Sequence, residues 1–348
     1  MSLSGPEHML ALLGLPLVCA ILLSLAGKFP NVRDGITLAS SLLVAVIAWS
    51  FGLDAAAGNM PALVLAVPLP GLELGFRAEP LGAIFVLVAG TLWPIATLYS
   101  IGYMRANNEG HQTRFFACFA ISIAATMGVA LAQNLFSLFV FYEVLTLATY
   151  PLVAHHGDEE SKRGAKIYLV MLLTTSIGLL LTAILWTHAI AGHGEFQVGG
   201  LLAGKVEGPL VGVLLALYAF GIGKAALMPL HAWLPSAMVA PTPVSALLHA
   251  VAVVKAGVFC VTKVVVYVFG LDLLSGEPSA SWLAWVAGAS ILIASAIALR
   301  QDNLKRRLAF STVSQLAYVT MAAALVAPLS IMAAAIHIVA HAFGKITL

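Results

Sequence analysis

Charge is what this sequence has least of. Only 9% of its 348 residues are Asp, Glu, Lys or Arg, against roughly 25% in an ordinary soluble protein. The length alone would suggest two or three soluble domains, but so few charges cannot cover their surfaces. Soluble enzymes, disordered chains and nucleic-acid binders are excluded together. Cysteine is scarce too: Cys19, Cys118 and Cys260 lie far apart in apolar runs and form no Cys-x-x-Cys. That spacing argues against an iron–sulfur cluster, a structural zinc site and a disulfide framework. Lys and Arg are missing ahead of the first apolar run, and no small-residue cleavage site follows it. The run therefore reads as a retained span rather than a secretion signal.

What the sequence has in abundance is hydrophobicity, with 61% apolar residues and a mean hydropathy of +1.00. A membrane-crossing helix needs about 20 apolar residues. Such runs fall near 9–26, 35–52, 80–103, 114–132, 134–155, 165–190, 208–228, 243–268, 280–300, 308–327 and 328–348. The expected fold is an all-α polytopic membrane protein with about 11 transmembrane helices. Between the second and third, residues 62–79 are broken by Pro68, Pro70 and Gly71 and read as an extracytoplasmic hairpin or loop.

The few charges are distributed unevenly. Odd-numbered connections hold Lys28, Arg33, Arg105, Arg114, Lys162, Arg163, Lys166, Arg300, Lys305, Arg306 and Arg307, whereas even-numbered ones hold only Arg77 and Lys205. Positive charge stays in the cytoplasm, so the amino terminus is expected outside. Lys224, Lys255, Lys263 and Lys345 fall inside spans, as does Glu143, the one acidic residue outside termini and connections. Each charge at a helix centre costs roughly 2.5–3.5 kcal/mol. Three central Lys with one Glu would cost about 10–14 kcal/mol unpaired, the whole stability of a typical fold. A structural ion pair between helices is the plain explanation. A set this large favours a proton path, the usual reason for keeping such groups in a membrane.

Lys224 precedes the stretch containing Pro229, His231, Trp233 and Pro235. Each proline removes a donor and clashes with the preceding turn, so span seven is expected to be discontinuous. Broken helices at membrane depth line cavities and mark translocation sites in transporters. Span eight opens with Pro241 and Pro243 and carries His249 and Lys255. Lys263, near its outer end, is expected to snorkel to the interface. His337, His341 and Lys345 recur every fourth residue, which puts them on one stripe of span eleven. His-x-x-x-His can hold half a zinc site, but no Cys, Asp or Glu ligand lies nearby, and no metal is expected. A row of groups that gain and lose protons suits a relay. Gly221, Gly223 and Ala226 mimic a dinucleotide fingerprint, but no strand precedes them and a proline breaks the run at once. Asp158 or Ser161 is expected to cap span six.

These residues carry a resemblance. LFSLFVFYE (135–143), GKAALMPLHAWLP (223–235), APTPVSALLHA (240–250), NLKRRLAFSTVSQLAY (303–318) and HIVAHAFGK (337–345) resemble the antiporter-like subunits shared by respiratory complex I and Mrp-type multisubunit cation/proton antiporters. EVLTLATYP (143–151), together with Lys255 in VVKAG, looks most similar to the D-type member of the Mrp group. The resemblance implies two inverted five-helix repeats, each with a broken helix. Residues 1–110 would hold helices 1–3 with the hairpin, 111–270 one complete repeat (helices 4–8) and 271–348 part of a second (helices 9–11). It also implies that Glu143 pairs with Lys224, and that His249, Lys255, His337, His341 and Lys345 continue the polar axis. The chain stops at Leu348, where the family has a second broken helix. A truncated product, or a partner that supplies the remainder, is expected.

The function implied is proton and cation (Na+) translocation within a multisubunit antiporter of the bacterial inner membrane, beside other membrane subunits and without cofactor. A proton-pumping subunit of a complex I or hydrogenase-type arm is the alternative, with inorganic-carbon uptake a variant of it. A non-transporting fragment is the third reading. The chain contains no redox or hydrolytic site of its own in any of them.

Overall fold

The computed structural model describes residues 5–69, 71–246 and 252–348. Among these, eight helical runs are long and apolar enough to cross a membrane. They comprise α1 (Gly5–Leu25), α2 (Pro30–Ala56), α3 (Pro80–Ala106), α4 (Gln112–Leu131) and α5 (Leu135–Val153). α6 (Glu159–Thr175) continues through a π turn (Ser176–Leu180) into α7 (Leu181–Ala191) as one span. α13 (Trp282–Leu299) and α15 (Pro328–Ile346) complete the eight. Two further crossings follow, the first of them built in pieces. It joins α8 (Pro209–Gly221) to α9 (Trp233–Ser236) through irregular chain. The second holds α10 (Thr242–Ala246) and α11 (Val253–Lys263), which lie on either side of residues outside the described ones, and a π turn (Val264–Phe269) prolongs α11 before the short α12 (Leu271–Gly276). With α14 (Leu304–Ala324), whose first turn holds Lys305, Arg306 and Arg307, the expected total of about eleven crossings is met.

Residues 62–79 form a hairpin. β1 (Ala62–Leu69) pairs antiparallel with β2 (Leu72–Arg77). β2 lies on the start of α5, where Asn134 fastens it. The Asn134 side chain accepts from the Ser137 N–H at 2.8 Å, capping α5, and donates to the Glu73 carbonyl at 2.9 Å. A cap of this kind contributes about 1 kcal/mol. Asp158 caps α6 in the same way, accepting from the Ser161 N–H at 2.7 Å.

At the opposite end, the face holding most of the basic residues, one carboxylate ties α2 to α3, and Arg33 extends the contact to α4. Arg33 and Arg105 donate through Nε to the two oxygens of buried Asp34, at 2.8 and 2.7 Å. Arg33 also reaches Gln112 Oε1 at 2.7 Å. Two guanidiniums on one carboxylate make a charge-assisted clamp here.

His155 follows α5 on this basic face. Its ring is buried edge-on against Phe115 and lies 3.8 Å from Glu109. Burial, with Arg114, His156 and His111 adding to it, pushes the imidazole down to about 4. It is therefore neutral near pH 7, and its contact with Glu109 is not an ion pair. Unfolded, the ring would take a proton below about pH 6.5. The folded state thus has its full advantage above that pH and loses it as the pH falls towards 4, by on the order of 3 kcal/mol. Melts in detergent at pH 7 and pH 5 should differ accordingly, and His155→Leu should remove most of the difference. A variant with the same pH dependence would assign it to another group.

Candidate functional site

The break in the seventh crossing comes earlier than the prolines suggest. α8 ends at Gly221, a 3-10 turn runs over Gly223–Ala225, and Ala226 is left-handed with φ of 51°. Pro229 and Pro235 lie beyond, in the second half. Crowding explains the position. A Cβ on Gly221 would sit 2.4 Å from the Leu180 amide nitrogen, and one on Gly223 would sit 2.3 Å from Thr175 Oγ1. Both neighbours flank the π turn between α6 and α7. The freed backbone groups find side chains: Trp233 Nε1 donates to the Gly223 carbonyl at 2.9 Å, and the Lys224 N–H donates to Tyr142 Oη at 3.1 Å. Irregular backbone at membrane depth requires such substitutes. Pro243 falls in the first turn of α10, where its missing donor costs nothing, and Pro241 accepts from Val244 at 2.9 Å. These two prolines start a helix rather than interrupt one.

Lys224 is fully buried. Its ammonium donates to the Tyr142 carbonyl at 2.9 Å and to Thr146 Oγ1 at 2.5 Å, and lies 3.1 Å from the centre of the Tyr142 ring. All three partners are neutral. Glu143 forms no ion pair with Lys224 among the described residues, in contrast to the pairing the resemblance implies. It points from the same turn of α5 within electrostatic reach of Lys224, and its buried carboxylate oxygens have no hydrogen-bond partner there. A helical step of one residue turns Glu143 about 100° away from Tyr142, which holds the ammonium instead.

The second group sits between α11, α14 and α15. Lys255 Nζ is fully buried and lies 2.5 Å from His341 Nδ1, within hydrogen-bond distance. His341 stacks on His337 with centroids 6.1 Å apart, and His337 Nε2 meets Gln315 at 2.8 Å. One turn on, Lys345 donates to Ser311 Oγ at 3.2 Å and to the Leu308 carbonyl at 3.3 Å. A cavity of about 320 Å³ opens beside Lys345 and Lys305 towards the basic face, lined also by Thr242 and Ser245. α11 joins the two groups, because Gly257 lies against the Lys224 carbonyl. His249 lies outside the described residues.

Lys263 departs from expectation. It does not snorkel: its ammonium is fully buried, 2.9 Å from Glu79 and 2.7 Å from the Ala132 carbonyl. Glu79 precedes α3 in sequence and gives no local sign of reaching α11. Among the described residues no three His, Cys, Asp or Glu converge as metal ligands. Sequence reasoning also misses Tyr142, Thr146, Ser311 and Gln315 as partners of the polar axis. Their helical spacing is a usable signal, since Tyr142/Thr146 and Ser311/Gln315 are each four apart.

Comparison with known proteins places this geometry. The family model described as NADH:quinone oxidoreductase/Mrp antiporter, TM, matches residues 132–348, more than half of the chain. A chloroplastic NAD(P)H-quinone oxidoreductase subunit 5 from Zygnema circumcarinatum is 32% identical over 321 residues, covering 89% of this chain and 44% of the relative. A probable K(+)/H(+) antiporter A/B subunit from Rhizobium meliloti (strain 1021) is 33% identical over 288 residues, covering 81% of this chain and 28% of that protein. The chain thus spans less than half the length of these curated relatives. Among solved structures, a chain of the membrane-bound sulfane sulfur reductase, an archaeal respiratory membrane complex, superposes with a TM-score of 0.83 at 25% identity, covering 97% of this chain and 69% of that one. A chain of the Mrp complex from Dietzia sp. DQ12-45-1b superposes with a TM-score of 0.75 at 25% identity, covering 96% and 36%. With a family model, curated relatives and solved folds in agreement, this chain belongs to the NADH:quinone oxidoreductase/Mrp antiporter transmembrane family.

Proposed function

We propose that the chain is the proton-translocating unit of a multisubunit monovalent cation/proton antiporter, with Na+ or K+ as the exchanged ion. One observation carries this reading: the fully buried Lys224 ammonium sits at a helix break, and its hydrogen-bond partners among the described residues are neutral oxygens. No carboxylate of the described residues locks its charge by contact, so Glu143 and incoming cations can set it from a distance. An approaching like charge weakens an ammonium's hold on its proton, and an opposite charge strengthens it. A proton leaving Lys224 would pass to Lys255, then across the Lys255–His341 contact to Lys345 and the basic face, with His337 beside that route; His249, which lies outside the described residues, is proposed for the same relay from its sequence position. Span charge supports a cytoplasmic basic face, an extracytoplasmic amino terminus and a bacterial inner membrane. The helices from α4 to α11 would form one repeat, and α13 to α15 part of another. Other membrane subunits would flank the chain.

The likeness to subunit 5 of a quinone oxidoreductase favours a second reading, in which redox chemistry in a partner drives the same relay. Dye-reported transport in everted vesicles separates the two. The antiporter reading expects a response to added Na+ or K+ without NADH, lost in Glu143→Ala. A response that appears only with NADH would replace it by the redox-driven reading.

A further inference from the structure

A cavity of about 810 Å³ opens on the basic face, between the α1–α2 and α3–α4 connections. Arg33, Arg105, Arg114 and His111 line it, with Glu109 as its acidic member among the described residues. Arg33 comes from α2, Arg105 from the last turn of α3 and Arg114 from the first turn of α4, so the fold gathers them rather than a basic run. Their protein partners do not use them up. Arg33 and Arg105 hold Asp34 and reach Gln112 and Asn31, and Arg114 Nη2 donates to the His155 carbonyl at 3.1 Å. Nη1 of all three, and Nε of Arg114, meet no acceptor among the described residues.

The charges do not balance either. Three guanidiniums face two carboxylates, Asp34 and Glu109, which leaves one positive charge over before His111 and His156 are counted. The surplus is felt nearby, because Arg114, His156 and His111 help to keep the His155 imidazole neutral. The wall around Gly27 and Pro30 adds a second chemistry. It also carries Leu25, Phe29 and Val32, which are 77, 64 and 52% exposed. Basic residues that only set topology need neither converge on one cavity nor stand beside an apolar strip.

We propose that this cavity seats the phosphate of an acidic phospholipid from the leaflet on the basic face, with the acyl chains lying along Leu25, Phe29 and Val32. A guanidinium offers paired N–H donors that match phosphate oxygens, and basic pockets between membrane helices hold acidic headgroups. A phosphodiester carries one negative charge, which equals the surplus. A choline or ethanolamine headgroup brings a cation of its own into a cationic cavity and is disfavoured. Free phosphate offers the same oxygens but nothing to cover the apolar wall. Seated there, the lipid bridges the two connections that the Asp34 clamp already ties.

The test uses the assembled complex in vesicles containing a phosphatidylglycerol with a photoreactive group on its acyl chain, followed by peptide mapping. Label is expected on residues 22–33. Losing one basic contact weakens the hold on an anionic lipid about fivefold, so Arg114→Gln should lower the label by that factor. His111→Asp should lower it at least as far by adding a carboxylate. The His111 side chain caps nothing, and Asp suits both a helix N-cap and left-handed backbone, so the fold is kept. Lys162→Gln removes an exposed charge of the same face outside the cavity and should leave the label unchanged. Equal labelling by the phosphatidylcholine analogue, an equal loss in Lys162→Gln, or no label on residues 22–33 would overturn the proposal. Inorganic phosphate should displace no more label than chloride of the same ionic strength. Displacement by phosphate alone would reassign the cavity to the free anion and overturn the lipid.

Discussion

Lys224→Met in the assembled complex is expected to lower proton-coupled transport at least a hundredfold, while the protein should melt at the same temperature as wild type or higher. The argument starts from what Lys224 costs. A charged side chain at the centre of a membrane helix is unfavourable by roughly 2.5–3.5 kcal/mol. Here its compensation is one carbonyl, one hydroxyl and a ring face. Methionine fills a similar volume without the charge, and the partners are not left orphaned, because Thr146 Oγ1 already donates to the Tyr142 carbonyl at 3.1 Å. A residue kept for stability would lower the melting temperature when removed. Transport measured with a pH-sensitive dye, together with a melt of the same preparation, reads both quantities. Normal transport in a stably folded Lys224→Met protein would remove Lys224 from the mechanism.

Gly257→Ala is expected to have the opposite signature, losing fold and transport together. Its Cβ would stand 2.3 Å from the Ala225 nitrogen and from the Lys224 carbonyl carbon, and 2.6 Å from the carbonyl oxygen. All three are backbone atoms, so no rotamer change makes room. α11 must move away from the broken helix. Overpacking of this kind costs typically about 1–3 kcal/mol and occasionally more, and here it also shifts the ammonium. Gly288→Ala on α13 is the control, since nothing lies within 4 Å of the added carbon. A Gly257→Ala protein with wild-type stability would mean that this helix contact is softer than its distances state.

Much of this is legible in the sequence, and the gaps have physical causes. Crossings are written in runs of apolar residues, and the stripe of His337, His341 and Lys345 follows from a period of four; both are local. The partners of buried charge are not local. Lys263 meets Glu79 across 184 positions of sequence, and no spacing rule relates them. The resemblance implies Glu143 on Lys224, but the helix phase of α5 presents Tyr142 and Thr146 instead. Prolines point to the break, since they forbid a helix by their own chemistry. It occurs at Gly221 and Gly223, which permit a helix in isolation and lose it only when α6 and α7 press against them.

The π turn at Ser176–Leu180 has a consequence of register. A π turn holds one residue more than the α-helical turn it replaces, so it changes the rotational phase of everything after it. Deleting one residue within 176–180 would restore continuous α-helix and rotate α7 by about 100° relative to α6. Leu180 would then leave Gly221, and the wall that forces α8 to end would face elsewhere. The discontinuity beside Lys224 is in this sense encoded twice, once in its own glycines and once as a single surplus residue in the neighbouring span.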